Sequence, residues 1–430
     1  MKSIAKFFVV SVMTIFAKIA LIKYKPKIVA IAGSVGKTST KDAIFTVLKS
    51  GTSARKSEKS YNGDIGIPLS IFGLENAWMN PLKWARNFLL AFLALISDEP
   101  FPHILVLEIG ADRPGNIWRI MRWLKPDISV ITRFGNLPVH IEFFKDKYEL
   151  IEEDGNVARA LPKKGLLVAN IDDADSMSMK EKTEARFSTY GFDKNGTIVA
   201  SNTQIVYDDG GFPTGMTYKI EYEGKSMPVR LFGSLGNVSV YATLPALLVG
   251  KELGINIVQG IEALSKHVPP PGRLRILKGV KNSAIIDDTY NSSPIAAEEA
   301  LRVLKELNVT GKKIAILGDM LELGKKSEEA HKAVGERAAV TCDILVTVGI
   351  RSRKIAEGAL IGSLSEKNIF QFEDSRKAGK FVEGIIKKGD AILIKGSQSM
   401  RMERAVEEIM AEPLRKEELL VRQDREWQSR

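Results

Sequence analysis

The chain alternates between short apolar runs and stretches that predict helices. The runs "KIVAIAG", "HILVLEIG" and "DISVITRFG" have the length and unbroken hydrophobicity of strands buried on both faces of a parallel sheet. The first run leads directly into "GKTSTKDAIFTVLKS", which predicts a helix. The first half of the chain is therefore expected to form a parallel sheet covered by helices.

The pattern changes between Gly165 and Phe232. Shorter strands with turn signals follow one another there, which indicates an added sheet within the same domain. "SVYATLPALLVGKELG" and "NIVQGIEALSKH" then predict two helices. We expect these helices to complete the first domain.

The stretch "HVPPPGRLRILKG" predicts a domain boundary, because its three prolines and Gly272 stop any helix. Strand-like runs resume after it in "SAIIDDTYN", "KKIAILGDM", "DILVTVG" and "DAILIKGS". We therefore predict an α/β architecture divided into four parts. These are a basic apolar helix (1–27), a central nucleotide-binding domain (28–272), a second α/β domain (273–412) and a charged tail (413–430).

Composition narrows the class of protein. A chain of 430 residues is long enough for two or three domains. Its one cysteine, Cys342, excludes an internal disulfide framework and fits a reducing cytosol. The net charge of +10 could suggest nucleic acid, but no nucleic-acid motif accompanies it. We expect no nucleic-acid partner.

Part of that charge lies in residues 1–27, which carry six lysines and no acid around the apolar run "FFVVSVMTIFAKIALI". Lys18 leaves the clean run short of the ~20 residues that a membrane span needs. A helix lying at the inner surface of the plasma membrane fits this pattern, as does a helix packed on the domain. The later segment "ENAWMNPLKWARNFLLAFLALISDEP" could form a second membrane-facing helix or an ordinary helix of the hydrophobic core. We favour the core helix.

The clearest candidate chemistry is "GSVGKTS", which lies between a predicted strand and a predicted helix. Backbone N–H groups at such a turn bind phosphate. Lys37 would hold the β- and γ-phosphates, and Thr38 would ligate Mg²⁺. The alternative is a chance glycine turn. The predicted nucleotide-binding residues are Gly33, Ser34, Val35, Gly36, Lys37, Thr38 and Ser39.

Other polar side chains follow predicted strands. Glu108 ends one strand and is a candidate Mg²⁺ ligand, because a buried carboxylate is costly unless it is paired or metal-bound. His140 follows another strand, where ligands gather in parallel sheets. In the second domain the strand-end residues are Asp287, Asp288, Asn291, Lys395 and Ser397, which together suggest a substrate-facing rim.

The motifs occur in an order that resembles the Mur ligase family. The motifs are "GSVGKTST", "NGDIGIPLSI", "VLEIGADRPGNI", "ITRFGNLPVHIE", "PGRLRI", "IDDTYNSSP", "ILGDMLELG" and "IKGSQSMRME". The resemblance covers about Ile28 to Met410, and the last three of these motifs make it specific. The chain is most similar to the members that join D-alanyl-D-alanine to UDP-N-acetylmuramoyl-tripeptide.

This resemblance implies an ATP- and Mg²⁺-dependent amide ligase of peptidoglycan precursor synthesis. A muropeptide carboxylate would attack the γ-phosphate of ATP, and the amine of D-Ala-D-Ala would then attack the acyl phosphate. The implied fold is a P-loop central domain with a parallel sheet and a Rossmann-like C-terminal domain. The protein is expected to be a cytoplasmic monomer, with peripheral membrane contact through its N-terminal helix.

The resemblance also assigns roles residue by residue. Lys37, Glu108, His140 and Lys395 would be catalytic, and Tyr290, Asn291 and Arg273 would lie near ATP. The metal ligands would be Thr38, Glu108, His140 and Asp154, and the substrate would contact Asn62, Asp288 and Ser397.

Two departures from the family pattern leave alternatives open. Only about 27 residues precede the first strand, where the family usually has a UDP-binding domain, so the UDP part is held differently or the substrate is not UDP-linked. Asp154 falls where many members carry a carbamylated lysine. Asp154 or Glu153 could supply the missing charge, or both could belong to a solvated helix face.

Two other functions remain as alternatives. One is another Mur-type amino-acid ligase, of the diaminopimelate-adding, folylpolyglutamate or cyanophycin type. The other is a membrane-associated P-loop nucleotide switch without ligase activity, although the sequence has no N-K-x-D guanine-reading motif.

Overall fold

The computed structural model describes residues 3–58, 61–135, 137, 140–424 and 427. Its first element is α1 (Ser3–Tyr24). One stripe of this helix is buried, with Val9, Met13, Ala17 and Ala20 each at most 6% exposed. This spacing corresponds to one side of a helix, so α1 packs on the domain along a single side.

A nine-stranded sheet forms the centre of the first domain. Its strands are β1 (Lys27–Ala32), β2 (Ala54–Lys56), β3 (Ile104–Glu108), β4 (Ile128–Ile131), β5 (Leu166–Asn170), β6 (Arg186–Gly191), β7 (Ile198–Tyr207), β8 (Pro213–Tyr222) and β9 (Lys225–Phe232). They lie in the order β2-β3-β1-β4-β5-β6-β7-β8-β9. Neighbours from β2 to β7 are parallel, and β7, β8 and β9 pair antiparallel.

The strands from Gly165 to Phe232 therefore extend the main sheet, and the expectation of an added sheet within the same domain is wrong. β5 and β6 continue the parallel part, with β5 paired to β4 from Ile128↔Leu166 to Ile131↔Ala169. Only the last three strands form antiparallel hairpins, whose tight turns need no crossover helix.

Helices cover both faces of this sheet. They are α2 (Lys37–Lys49), α3 (Gly66–Phe72), α4 (Pro81–Ile96), α5 (Asn116–Met121), α6 (Lys147–Asp154), α7 (Asn156–Arg159), α8 (Ala174–Met177), α9 (Asn237–Glu252) and α10 (Ile257–Ser265). Alternate residues of β1 contribute to two cores. Ile28 and Ala30 pack with α1, α3 and α4, whereas Val29 and Ile31 pack with α2, α9 and α10.

The second domain has six strands in the order β10-β11-β15-β12-β13-β14. All neighbouring pairs are parallel except β10 with β11. The strands are β10 (Arg275–Lys278), β11 (Ala284–Asp288), β12 (Lys313–Gly318), β13 (Ile344–Val348), β14 (Ile369–Phe372) and β15 (Ala391–Lys395). Its helices are α11 (Pro294–Glu306), α12 (Ser327–Ala339), α13 (Arg353–Ile361), α14 (Ser375–Ile385), α15 (Glu403–Ile409) and α16 (Lys416–Leu419).

The carboxyl ends of the two sheets meet across one cavity. In the first domain, Glu108 at the end of β3 lines it, and in the second, Asp288 and Lys395 at the ends of β11 and β15 do so. Ligands commonly bind at this edge of a parallel sheet. The described part of the charged tail packs on the second domain, where Leu419 and Leu420 are buried.

Candidate active site

The loop after β1 requires glycine at two positions. Gly33 has a φ of 113°, and a Cβ there would lie 2.4 Å from Thr132 Oγ1. Gly36 has a φ of 92° and immediately precedes Lys37, the first residue of α2. This turn presents the first N–H groups of α2 to the cavity, and such groups have no partner within a helix and favour an anion.

Two amides of the same loop are already used. The N–H groups of Ser34 and Val35 both donate to the carbonyl of Arg133 at 2.9 Å. The ammonium of Lys37 folds back onto the carbonyl of Gly33. In this arrangement a bound phosphate would take its hydrogen bonds from the first turn of α2 and from Lys37.

Glu108 is held in a buried cluster. Thr38 Oγ1 donates to Glu108 Oε2 at 3.0 Å, and the buried ammonium of Lys41 lies 3.7 Å from the same oxygen. The Glu108 amide donates to Ser57 Oγ at 3.1 Å. Since a buried carboxylate needs a compensating charge, the ammonium of Lys41 offsets the cost of burying Glu108, which is 2% exposed.

His140 lies where the two domains meet. Its Nδ1 is 2.6 Å from Glu322 Oε2 of the second domain, without the alignment of a good hydrogen bond, and its Nε2 is 3.7 Å from Asp112 Oδ1. His140 has a φ of 69° and Glu322 a φ of 62°. Glu322 belongs to the "GDMLELG" motif, whose pattern alone did not predict this contact with His140.

The neighbouring acids of α6 have different environments. Glu153 Oε1 accepts from the amides of Ile117 and Trp118 at 2.6 and 3.1 Å, so its carboxylate stabilises the start of α5. Asp154 lines the cavity and is 4% exposed. Neither side chain belongs to a solvated helix face, and of the two only Asp154 faces the site.

Burial raises the pKa of Asp154 to about 7, and the nearby charge of Glu153 adds to this increase. The ammonium of Lys37 and a backbone hydrogen bond from Gly33 oppose it. A carboxylate this poorly solvated gains stability from any additional positive charge in the cavity.

Lys395 contributes a buried cation from the second domain. Its Nζ donates to Asp288 Oδ2 at 2.6 Å and to the carbonyl of Asn291 at 2.9 Å. Burial lowers the pKa of Lys395, while the carboxylate of Asp288 opposes that shift. The other oxygen of Asp288 accepts from the amide of Leu274 at 3.2 Å, so Asp288 fixes both Lys395 and the chain after the hinge.

Arg273 reaches from the domain boundary to the P-loop helix. Its Nη2 donates to Thr38 Oγ1 at 3.3 Å, and its guanidinium lies 4.1 Å from the ring centroid of Tyr290. Its Nε has no hydrogen-bond partner among the described residues although it is buried. An arginine with a free donor beside a phosphate-binding loop is suited to bind a nucleotide anion.

The cavity between the domains has a volume of about 300 Å³. The strand-end residue Asp287, predicted to belong to the substrate-facing rim, does not line it, because its buried carboxylate accepts from the amides of Gly272 and Thr289 instead. All of the residues to which the resemblance assigns a role line the cavity except Ser397. Those residues are Gly33, Ser34, Val35, Gly36, Lys37, Thr38, Ser39, Asn62, Glu108, His140, Asp154, Arg273, Asp288, Tyr290, Asn291 and Lys395.

Ser397 differs from the prediction that it faces substrate. It is 4% exposed, and its hydroxyl accepts from the amide of Leu321 at 2.8 Å. It therefore fixes the loop after β12, and its neighbour Gln398 lines the cavity instead.

Sequence reasoning missed Arg422, which lies in the charged tail. Its Nη1 donates to the carbonyl of Thr289 at 3.1 Å and to Glu403 Oε2 at 2.9 Å, and its Nη2 donates to the carbonyl of Tyr290. Arg422 is 8% exposed, so the tail supports the segment that carries Tyr290 and Asn291. Arg422 lies among evenly mixed acidic and basic residues, and no motif in that stretch predicts a contact with Tyr290.

The donor set around Thr38 suits Mg²⁺. A hydroxyl and a carboxylate oxygen lie 3.0 Å apart there, and oxygen atoms are the preferred Mg²⁺ ligands. No group of three His, Cys, Asp or Glu side chains within the described ranges could hold a metal ion by itself. A Mg²⁺ ion held by Thr38 and Glu108 would take its remaining ligands from phosphate oxygens and water.

A P-loop that faces a second α/β domain across a cavity defines a two-domain nucleotide-binding protein. Comparison with known protein families identifies the family to which it belongs. Residues 87–249 match the Mur ligase middle domain, and residues 272–398 match the Mur ligase glutamate ligase domain. The chain belongs to the Mur ligase family.

Two curated relatives have the same name, UDP-N-acetylmuramoyl-tripeptide--D-alanyl-D-alanine ligase. The Bacillus subtilis protein is 27% identical over 400 residues, which cover 93% of this chain and 79% of the relative. The Escherichia coli protein is 25% identical over 392 residues, which cover 88% of this chain and 76% of the relative.

A solved structure shows the same architecture. MurF ligase from Thermotoga maritima in complex with ADP has a TM-score of 0.75 and 26% identity. The match covers 95% of this chain and 84% of that one. The fold predicted from the sequence, a central P-loop domain followed by a Rossmann-like domain, is confirmed.

Proposed function

We propose that this protein is an ATP-dependent ligase that joins D-alanyl-D-alanine to UDP-N-acetylmuramoyl-tripeptide in peptidoglycan precursor synthesis. The observation that carries the proposal is the similarity to ligases of this name along about nine tenths of the chain. The interdomain cavity supports it, because the P-loop and the buried Lys395 face each other there. ATP use is supported by the ADP complex of the Thermotoga maritima structure.

In the first step, a carboxylate oxygen of the tripeptide attacks the γ-phosphorus of ATP. A carboxylate–phosphorus bond forms, the bond between the γ-phosphorus and the β,γ-bridging oxygen breaks, and ADP leaves. Two anions must approach each other for this step, so positive charge must lie between them. Lys37 and the first turn of α2 would hold the phosphates, and Arg273 would contact them from the other domain.

In the second step, the amine of D-Ala-D-Ala attacks the acyl carbon, and inorganic phosphate leaves as the amide forms. The amine loses a proton, and the tetrahedral intermediate carries negative charge on its oxygen. The buried ammonium of Lys395 is suited to stabilise negative charge near the second domain. Its hydrogen bond to Asp288 holds it in position before substrate arrives.

Thr38 and Glu108 would hold one Mg²⁺ ion, and His140 with Asp154 would contribute to a second. Bound Mg²⁺ offsets the negative charge of the phosphates and the carboxylate. Asp154 would supply a carboxylate directly at the position where the family resemblance implies a carbamylated lysine. Its burial and its position beside Lys37 support this role.

The enzyme is proposed to be a cytoplasmic monomer that acts on small molecules and not on nucleic acid, with peripheral membrane contact through α1.

Incubation with ATP, Mg²⁺ and UDP-N-acetylmuramoyl-tripeptide, with and without D-Ala-D-Ala, tests this function. We expect phosphate release that depends on the dipeptide, and a pentapeptide product in the mass spectrum. Lys37→Met should abolish both while the protein stays folded. Phosphate release that ignores both peptides would instead favour a nucleotide switch, and product with another amino acid would favour a different Mur-type ligase.

A further inference from the structure

Two neighbouring helices of the first domain expose several large apolar side chains each, and four of those on each helix have identical spacing. On α1 these are Phe8, Ile15, Ile19 and Ile22, which are 44–73% exposed. On α4 they are Leu82, Leu89, Leu93 and Ile96, which are 44–80% exposed. Both sets follow the positions i, i+7, i+11 and i+14, which lie on one side of a helix. We call these two faces the α1/α4 surface.

The opposite sides of both helices are fixed to the domain. On α4, Trp84, Asn87 and Ala91 are buried, so only one stripe of this helix is core and the expectation of ordinary core packing is wrong for the rest. The helices also contact each other. The rings of Phe8 and Phe88 are 6.2 Å apart, and Tyr24 Oη donates to the carbonyl of Ala94 at 2.6 Å. The α1/α4 surface is therefore a preformed part of the folded domain.

Charge on these helices has one sign. Neither α1 nor α4 contains an Asp or Glu, whereas Lys6, Lys18, Lys23, Lys83 and Arg86 are distributed along them. On α1, Lys18 and Lys23 lie on either side of the exposed apolar face. The ammonium of Lys23 donates to the carbonyl of Leu95 at 2.7 Å and places a positive charge at the end of α4, whereas the long stem of Lys18 can extend to a charged headgroup layer. The nearest acids after α4, Asp98 and Glu99, follow its C-terminal end. An apolar face bordered by lysines matches the interface of a membrane that contains anionic lipids.

We propose that the α1/α4 surface docks onto the surface of an anionic lipid bilayer, with both helices lying in the interfacial plane. Among the described residues, α1 is the one helix long and apolar enough to cross a membrane by length and composition, over Ala5–Tyr24. Its buried stripe opposes that arrangement, because a spanning helix would have to leave α3 and α4. A second copy of the chain is a poorer partner, since it would bring like charges together. The inference does not depend on the ligase activity.

Cosedimentation of the full chain with lipid vesicles tests the proposal. We expect binding to vesicles that contain phosphatidylglycerol and much weaker binding to pure phosphatidylcholine. High salt should weaken the binding, because it screens the lysines from the headgroups. Failure to bind either kind of vesicle would overturn the proposal. Retention in the membrane after high-pH carbonate washing would also overturn it, because it would indicate a spanning helix.

Substitutions on the surface identify the contact. Leu82→Glu with Leu93→Glu should reduce vesicle binding by at least about tenfold, since each leucine would otherwise leave water on docking. The matched control is Ile361→Glu with Leu414→Glu, which introduces the same two charges at exposed apolar residues of the other domain and its tail. Thermal melting should show that both variants are folded. Equal binding by the two variants, or a dimer in solution that only the first variant dissociates, would contradict the proposal.

Discussion

The guanidinium of Arg273 donates a hydrogen bond to Thr38 Oγ1, at 3.3 Å, across the boundary between the two domains. Thr38 belongs to the P-loop helix, and Arg273 follows the proline-rich hinge. The same guanidinium lies against the ring of Tyr290. Because Thr38 also bonds to Glu108, this contact joins the second domain to the phosphate-binding end of the first.

Arg273→Lys should lower kcat/KM for ATP by about 10- to 100-fold. Lysine keeps the charge, but it lacks the planar fork of donors that can reach Thr38 and a phosphate at once. Steady-state kinetics with varied ATP would measure the effect. Arg353→Lys is the matched control, because Arg353 forms an exposed ion pair with Glu373 and does not line the cavity. Unchanged kinetics in both variants would show that Arg273 does not contact nucleotide.

Asp154→Asn should raise the Mg²⁺ concentration needed for half-maximal activity by about tenfold or more. The substitution keeps the shape of the side chain and removes the charge that faces Lys37 and the cavity. Thermal stability should be unchanged or higher, because a poorly solvated carboxylate is lost. Activity measured over a range of Mg²⁺ concentrations tests this.

The neighbouring substitution Glu153→Gln provides the contrast. It weakens two charge-assisted hydrogen bonds at the start of α5, so we expect a loss of about 1–3 kcal/mol in the free energy of unfolding. The Mg²⁺ dependence should stay near that of the wild type. If the two variants exchanged these effects, Glu153 would be the residue that serves the metal.

Arg422→Ala should raise KM for ATP about tenfold with a smaller effect on kcat. The substitution removes the donors to the carbonyls of Thr289 and Tyr290, so the segment near the nucleotide loses its support. Arg415→Ala is the control, since Arg415 forms exposed ion pairs with Glu412 and Glu418 in the same tail. Equal KM values in both variants would show that the tail does not affect nucleotide binding.

Acidification should destabilise the hinge through His267. The pKa of His267 is lowered from 6.5 to about 4, chiefly by burial; the charge of Asp42 opposes this shift and the charge of Lys56 adds to it. Between these values the unfolded chain binds the proton more readily than the native protein. Stability contributed by neutral His267 is therefore present above about pH 6.5 and is lost as the pH falls towards 4.

Between pH 6.5 and 5 this loss should amount to about 1–2 kcal/mol. Denaturant unfolding of the wild type and of His267→Gln at several pH values would measure it. Glutamine does not titrate and can still bond to Thr46, the partner of His267 in the native protein. The variant should lose less stability than the wild type over this interval, and parallel curves would contradict the assignment.

The site residues that could be predicted from the sequence lie at the ends of apolar strands. The P-loop directly follows β1 and Glu108 ends β3, so their positions along the chain are enough to place them at the carboxyl edge of the sheet. The choice between Glu153 and Asp154 could not be predicted in this way. Adjacent residues on a helix point about 100° apart, so which of them faces the cavity depends on how α6 packs.

Other features depend on contacts between distant segments. The three-residue β2 is too short for a periodic signal, and β10 mixes charged with apolar residues at a sheet edge. Arg422 reaches Tyr290 only because the tail returns across the second domain. The exposure of α4 also escaped prediction, because an apolar helix with one buried stripe has the composition of a core helix.

Transfer of isotope from the peptide carboxylate to phosphate tests the central claim most directly. UDP-N-acetylmuramoyl-tripeptide labelled with ¹⁸O in its terminal carboxylate would be incubated with ATP, Mg²⁺ and D-Ala-D-Ala, and the released phosphate analysed by mass spectrometry. If the reaction passes through an acyl phosphate, each phosphate released carries one ¹⁸O atom from the peptide. Phosphate without ¹⁸O would show that ATP is hydrolysed by water and would contradict the ligase mechanism.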